Sequence, residues 1–337
     1  DLIDPPATSP SVVYPPLSAS RSPAAPAPLP SPVGAAAAPG ASTTTALAAP
    51  PRKIDVRPGE DLTAILASAP NKAVLTLTGD GPYLIAGRVP AARGGQPSRD
   101  VAIRAEAGKR PVLRFATDVR SPATSLIAFA RGRLSIEGLT FEAEGRALDD
   151  RIASIVLEDA ELRLKGCTFR RPGEPTAGPG PGLVAVHART SRPEPTTGDR
   201  PPPIVADQCH FDPGAAALDC EGAADVQLHD CTFGPGGTAV ALDDDASGAS
   251  VAPARDVLIV RSSFMAGAAP VFRVRGPQAR FQVDDCVLAP AELSAAAGPH
   301  ILALVDGPRD LSWAGRSNLF GEFDVFLEVA GKPGSDE

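Results

Sequence analysis

"VQLHDCTFGPGG", Val226 to Gly237, is an alternating apolar run, then a Cys, one spacer residue, a Phe and a Gly/Pro turn. The same pattern recurs as "LRLKGCTFRRPG" from Leu162, "IVADQCHFDPG" from Ile204 and "FQVDDCVLAP" from Phe281. "LSIEGLTFEAEG" from Leu134 and "VLIVRSSFMAG" from Val257 keep the spacing with Leu or Ser in place of Cys, and "LSWAGRSNLFG" from Leu311 is a looser copy. Alternation with period two is the signature of a strand with one buried side.

A second alternating element precedes each copy. "SLIAFARG" comes before Leu134, "SIVLEDAE" before Leu162, "LVAVHART" before Ile204 and "AALDCEGA" before Val226. "AVALDDDA", "VFRVRGPQ" and "ILALVDGP" precede the later copies, and "VFLEVAGK" begins one more. Each unit is therefore strand, polar turn, strand, Gly/Pro turn. From Phe141 through Phe169, Phe211 and Phe233 to Phe264 the steps are 28, 42, 22 and 31 residues. The strands are regular and the loops vary, as in the Pro-rich stretch Arg170 to Pro203.

Short strands without intervening helices, at an irregular period, describe a solenoid of β-coils. One coil cannot bury its apolar side alone, so coils stack and their strands pair in parallel about 4.8 Å apart. Equivalent positions then form columns. Cys167, Cys209, Cys231 and Cys286, with Leu139 and Ser262 in register, form one inward column, and the motif Phe residues form another.

These repeats resemble the right-handed parallel β-helix of the pectin-lyase-like superfamily. "IDVRPGEDLTAILASAPNKAVLTLTGDGPYLIAGRVP", Ile54 to Pro90, is similar to that family's opening segment, in which a short amphipathic helix, here about Leu62 to Ala69, caps the first coil. "VAIRAEAGKRPVLRF", Val101 to Phe115, resembles its first full coil. The resemblance covers roughly Ile54 to Ala330 and implies an all-β, single-stranded solenoid of about eight coils. It implies no single activity, because the fold hosts lyases, hydrolases, adhesins and inert repeat domains.

The chain of 337 residues divides by composition. Residues 1–51 hold 13 Pro and 13 Ala but only three charges, Asp1, Asp4 and Arg21. They read as a disordered or polyproline-like tether, and 52–337 as the β-helix domain. The net charge of −8 argues against a general nucleic-acid or anionic-membrane binder. No apolar run of about 18 residues spans a bilayer. The chain starts at Asp1 and its sole Met is Met265, so it reads as a processed product or a piece of a larger bacterial protein, with an upstream domain beyond the tether. The five Cys include no C-x-x-C pair, which disfavours a zinc module, and no metal or cofactor is expected. A column of buried thiols reads first as small hydrophobes, with a Cys209–Cys231 disulfide geometrically allowed; Cys220 reads as the exposed thiol. Buried thiols tolerate either redox setting, so the compartment stays open, an extracytoplasmic or cell-surface place being favoured over the cytoplasm.

The turn after the first strand of each unit carries Glu158, His187, Asp219, Asp243, Arg275 and Asp306, one per coil, with Asp244 and Asp245 adjoining. Read as one column, this brings His187, Asp219, Asp243 and Arg275 together on consecutive coils. Asp219 and Asp243 are the candidate catalytic acid and base, the carboxylate pair a glycosidase needs. His187, Asp244, Arg275 and Asp306 are candidate ligand contacts, Arg275 for a substrate carboxylate. "LDDD" at Leu242 resembles the paired aspartates of polygalacturonases, but that family's "GHG" and "RIK" segments have no counterpart. Asp also simply favours strand-ending turns. On the strands bearing the Cys column, the outward residues run from Ser135 and Glu137 through Arg163 and Lys165 to Gln282 and Asp284; this face is mixed in sign, unlike the oxygen cluster calcium requires. "GPGPG" at Gly178 and "GPGG" at Gly234 lack the Lys-Ser/Thr of a phosphate cradle. Aromatics are 4% of the chain, with one Trp, which gives little for stacking sugars. The sequence thus favours a non-catalytic interaction or ligand-binding module, with polysaccharide or another protein as partner. The competing reading is a polysaccharide hydrolase or lyase. The strand at about Val325 to Val329 would leave an open edge that needs a cap or partner.

Overall fold

A computed structural model describes residues 51–85, 98–115, 125–142, 152–170, 183–190, 201–212, 216–222, 224–235, 237–243, 255–267, 269–276, 278–291, 299–306 and 310–330. All but the last residue of the expected tether, as well as Asp244 and Asp245, lies outside them. The chain begins with β1 (Lys53–Val56), α1 (Leu62–Ser68), β2 (Ala73–Leu77), β3 (Tyr83–Ile85), β4 (Arg99–Ala105) and β5 (Val112–Phe115). Two long bent strands follow, β6 (Ser125–Glu137) and β8 (Ile152–Lys165), each leading into a short one, β7 (Thr140–Glu142) and β9 (Thr168–Arg170). Later coils split the long strand in two: β10 (Leu183–Arg189), β11 (Pro203–Asp207) and β12 (His210–Phe211), then β13 (Ala216–Glu221), β14 (Asp225–His229) and β15 (Thr232–Phe233). The next are β16 (Val240–Asp243), β17 (Arg255–Val260) and β18 (Ser263–Ala266), then β19 (Phe272–Arg275), β20 (Gln278–Asp284) and β21 (Val287–Pro290). Last come β22 (Ile301–Asp306), β23 (Asp310–Arg316), β24 (Leu319–Phe320) and β25 (Val325–Ala330).

The architecture is a parallel β-helix, with a coil count close to the eight expected from sequence. Its first face stacks β2, β4, the second halves of β6 and β8, then β11, β14, β17, β20 and β23. The second face stacks β3, β5, β7, β9, β12, β15, β18, β21 and β24. The third stacks the first halves of β6 and β8, then β10, β13, β16, β19, β22 and β25. Neighbours on every face run parallel. At the start, β1 pairs with the edge of β2, while α1 buries Leu62 and Leu66 in the core. Asp61 caps α1 by accepting from the Ala64 amide at 3.1 Å. Arg99 closes its other end, donating to the carbonyls of Leu66, Ala67 and Ala69.

The corner between the first and second faces explains the recurring Cys. One residue per coil takes a left-handed conformation there: Gly138, Gly166, Gln208, Asp230, Arg261, Asp285 and Ser317, with φ from 48° to 73°. Its amide bonds forward to the next coil, as Asp230 N donates to Val260 O. Two residues on, the amide bonds back, as Thr232 N donates to Cys209 O. The residue between points inward and meets corner carbonyls that need a donor. The Cys231 thiol lies 3.3 Å from His229 O, and Cys286 lies 3.2 Å from Asp284 O. Ser262 donates to Val260 O at 3.1 Å and accepts from Cys231 N, and Asn318 donates to Val283 O at 2.7 Å. From Cys167 onward the column holds donors, so Ser262 and Asn318 can stand where Cys does, while Leu139 fills the same position in an earlier coil by apolar packing alone. Its thiols, all buried and free, act as more than small hydrophobes.

Two residues beyond the Cys column, Phe141, Phe169, Phe211, Phe233 and Phe264 stack with centroids 4.5–5.0 Å apart and planes within 6°. The coil repeat imposes this near-parallel geometry. Each ring pair adds about 0.5–1.5 kcal/mol beyond its area burial. At the corner between the third and first faces, β6 bends at Arg131 and Gly132. A Cβ on Gly132 would lie 2.1 Å from Arg99 O, so only glycine fits.

Candidate functional site

The outward side of the third face carries the charged residues singled out from sequence, but in two columns. Glu158, Arg189, Glu221, Asp243, Arg275 and Asp306 occupy one register position. His187, Asp219, Ala241 and Arg273 occupy another, two residues earlier. The single column of His187, Asp219, Asp243 and Arg275 is thus corrected. β10 and β13 continue two residues past His187 and Asp219 before they turn. A two-residue slip preserves inward–outward alternation, so the pattern alone does not distinguish the two registers.

The side chains interlock along the stack. His187 Nδ1 stands 3.3 Å from Asp219 Oδ2, and both groups are nearly buried. His187 Nε2 lies 3.8 Å from Glu221 Oε1, which leaves the imidazole between two carboxylates. Arg189 donates to Glu221 at 2.8 Å, Arg273 to Asp243 at 3.0 Å, and Arg275 pairs with Asp306 at 3.1 Å. Asp219 and Asp243 sit diagonally on adjacent coils, their Cα atoms roughly 8 Å apart from a 4.8 Å coil spacing and two residues of strand rise. Each already has a basic partner, His187 in the same column as Asp219 and Arg273 in the column beside Asp243. Among the described residues no three His, Cys, Asp or Glu side chains come together to hold a metal ion.

Cys220 is corrected too. It sits in the core at 0% exposure, one residue after Asp219, because β13 continues through it with its side chain inward. Burial pushes its thiol up to about 12. In the Cys column, hydrogen bonding with Cys167 and Cys231, joined by burial, pushes the Cys209 thiol far up. These are resting thiols rather than nucleophiles.

Two features escaped the sequence reading. The first is Arg255, with 2% exposure: it points inward at the third-to-first corner and donates to the Asp243 carbonyl at 3.1 Å. Its column otherwise carries small residues, Ala224 before it and Ala279 after it. The second is Glu142, buried on the outer side of the second face between Arg114 and Arg170, which lie in register on the coils either side. Burial drives its carboxyl upward, but hydrogen bonds from both arginines outweigh this and hold it below the usual carboxylate range. This ladder was legible in outline: Glu142 and Arg170 each follow the motif Phe directly, so alignment on Phe141 and Phe169 places them together.

These observations define a parallel β-helix protein whose outer charges form cross-coil ladders. No protein-family profile and no curated protein matches the chain. Among solved structures, it is similar to tailspike protein 3 of bacteriophage CBA120 at 10% identity and a TM-score of 0.32, over 82% of this chain and 57% of the tailspike. It is also similar to ORF18 of Geobacillus virus E2 at 9% identity and a TM-score of 0.19, over 77% of this chain and 52% of that one. The chain therefore spans little more than half the length of either. No helix among the described residues is long and apolar enough to cross a membrane.

Proposed function

We propose that the protein is a non-catalytic ligand-binding or interaction module: a β-helix of the pectin-lyase-like kind, carried by a Pro/Ala tether on a larger bacterial protein, with polysaccharide or another protein as its partner. The observation that supports this most directly is the engagement of Asp219 with His187 and of Asp243 with Arg273. Carboxylates held in this way offer a ligand fixed hydrogen-bonding groups rather than a free acid and base. His187, Arg275 and Asp306 would be its contacts along the third face, and Asp244 would adjoin them.

A second reading, a polysaccharide hydrolase, draws on Asp219 and Asp243 standing on adjacent coils of one outer face, as a pair of glycosidase carboxylates would. A thermal-shift screen of the whole chain against neutral and acidic oligosaccharides separates the two. A ligand at 100 times its dissociation constant adds about 2.7 kcal/mol. The module reading expects stabilisation that is lost in Asp219→Asn or Arg275→Ala, with no sugar consumed. Release of reducing ends that stops in Asp243→Asn overturns it. A flat response to every sugar removes the polysaccharide and leaves a protein partner.

A further inference from the structure

The outer side of the second face holds a side-chain cluster away from the third-face contacts. Its first outward column runs Thr140, Thr168, His210, Thr232 and Ser263, in register on consecutive coils. His210 stands where the neighbouring coils place Thr, in "CHF" rather than "CTF". Its ring is held on both sides. Nδ1 lies 2.5 Å from Thr232 Oγ1 on the next coil, and Nε2 lies 2.6 Å from Asp212 Oδ1, two residues on along the same coil. A carboxylate only accepts, so Nε2 carries the proton and Nδ1 is left to accept from the Thr232 hydroxyl. Hydroxyl, imidazole and carboxylate thus stand in the order that activates a nucleophile, an arrangement defined by geometry and roles rather than by fold.

The surroundings leave this hydroxyl open. Thr232 is exposed, and beside its column a second outward column runs Arg170, Asp212, Gly234 and Met265. Gly234 puts no side chain next to Thr232, and Met265, 49% exposed, offers an apolar wall on the following coil. The nearby backbone amides are spent on the ladder: Thr232 N donates to Cys209 O, Gly234 N to Phe211 O and Ser263 N to Cys231 O. They are not free to hold the oxyanion of a tetrahedral intermediate, so an ordinary ester stays intact here. An acyl donor whose leaving group departs as a stabilised anion needs only the activated hydroxyl. We propose that Thr232 is a covalent acylation site, at which His210 and Asp212 prime the hydroxyl to take one acyl group from an activated donor such as a thioester or an aryl ester. The bond from Thr232 Oγ1 to the acyl carbon forms as the bond to the leaving group breaks. The hydroxyl proton passes to His210 Nδ1 and then to the departing thiolate or phenolate. The product is an alkyl ester of threonine, which lacks such a leaving group, so it is retained and the site does not turn over. This chemistry is independent of ligand binding on the third face and compatible with a module that performs no catalysis.

Treating the whole chain with p-nitrophenyl acetate and mapping the acetylated peptides by mass spectrometry tests this. Thr232 should gain one acetyl group about 100-fold faster than Thr168 or Ser263, the hydroxyls of the same column. His210→Gln should bring Thr232 down to their rate. Asp212 acts through the imidazole as a positioning residue, so Asp212→Asn should slow the labelling and Asp212→Glu restore part of it, with the circular dichroism spectrum unchanged in both. Thr232→Ser keeps the hydroxyl and should still be labelled at the fast rate, an arm that holds even if His210→Gln disturbs the coil. Labelling of Thr232 no faster than that of Thr168 and Ser263 overturns the proposal, as does fast labelling that survives His210→Gln or Asp212→Asn. Release of p-nitrophenolate that depends on Thr232 and continues past one per chain overturns retention of the ester.

Discussion

Phe211 has the most to lose in the aromatic stack. Its ring lies 5.0 Å from Phe169 and 4.8 Å from Phe233, with nearly parallel planes on both sides. Phe141 sits in the same column with equal burial, but it stacks on one ring only, 4.7 Å away, and has Leu113 on its other side. Phe→Leu at either site deletes the same atoms from a fully buried position in one column. The transfer and cavity contributions therefore cancel in the comparison, and what remains is one ring–ring contact. Phe211→Leu should cost about 0.5–1.5 kcal/mol more than Phe141→Leu. Urea unfolding followed by far-ultraviolet circular dichroism measures both. In a stacked solenoid the central break should also weaken coupling between the two halves, which shows as a shallower transition. Equal losses at the two positions, or a larger loss at Phe141, would mean that the stack is a by-product of coil spacing with no energy beyond burial.

Other expectations follow from single residues. Gly166→Ala should cost about 1 kcal/mol, because its φ of 58° is left-handed but its Cβ would meet nothing; Gly132→Ala should cost much more or prevent folding, since its Cβ collides with Arg99 O. Thermal melting of the two variants reads the contrast. Arg255→Leu should cost about 0.5–1.5 kcal/mol by removing one of two donors to the Asp243 carbonyl, which keeps the Gly222 amide at 3.0 Å, and a gain in stability in urea unfolding would show that burying the guanidinium costs more than its hydrogen bond returns. Glu142 ionises more readily in the folded chain than in the unfolded one. Its contribution is present above the unfolded value of about 4.5 and is lost as pH falls through the lower folded value. Glu142→Gln should therefore be less stable than wild type at neutral pH. The two melting curves should converge in acid, and parallel pH profiles in calorimetry would contradict this.

The charged ladders carry a further lesson. Arg133 pairs with Glu161, Arg261 with Asp230, and Arg189 with Glu221, always on adjacent coils and on the outer surface. Each such exposed pair is worth about 0–1 kcal/mol. Their greater use is in register, since like charges meet when one coil slips. Alternation within one strand carries none of that information, so it does not fix the register of the third face.

The sequence by itself determined the solenoid, because a unit of two strands and a corner recurs with the same internal spacing, and one such unit buries its apolar side only by stacking on the next. It also determined the Cys and Phe columns, whose members are spaced alike within every motif, and the helix at the start, whose cap residue and apolar spacing are local. Only the tertiary structure decided which residues are neighbours across coils. His187 with Asp219 and Arg273 with Asp243 are contacts 30 or more residues apart, separated by loops of unequal length, and a two-residue slip leaves alternation untouched. The same reason hid the burial of Cys220 and the inward turn of Arg255. Each depends on what the neighbouring coils supply, and no local pattern carries that.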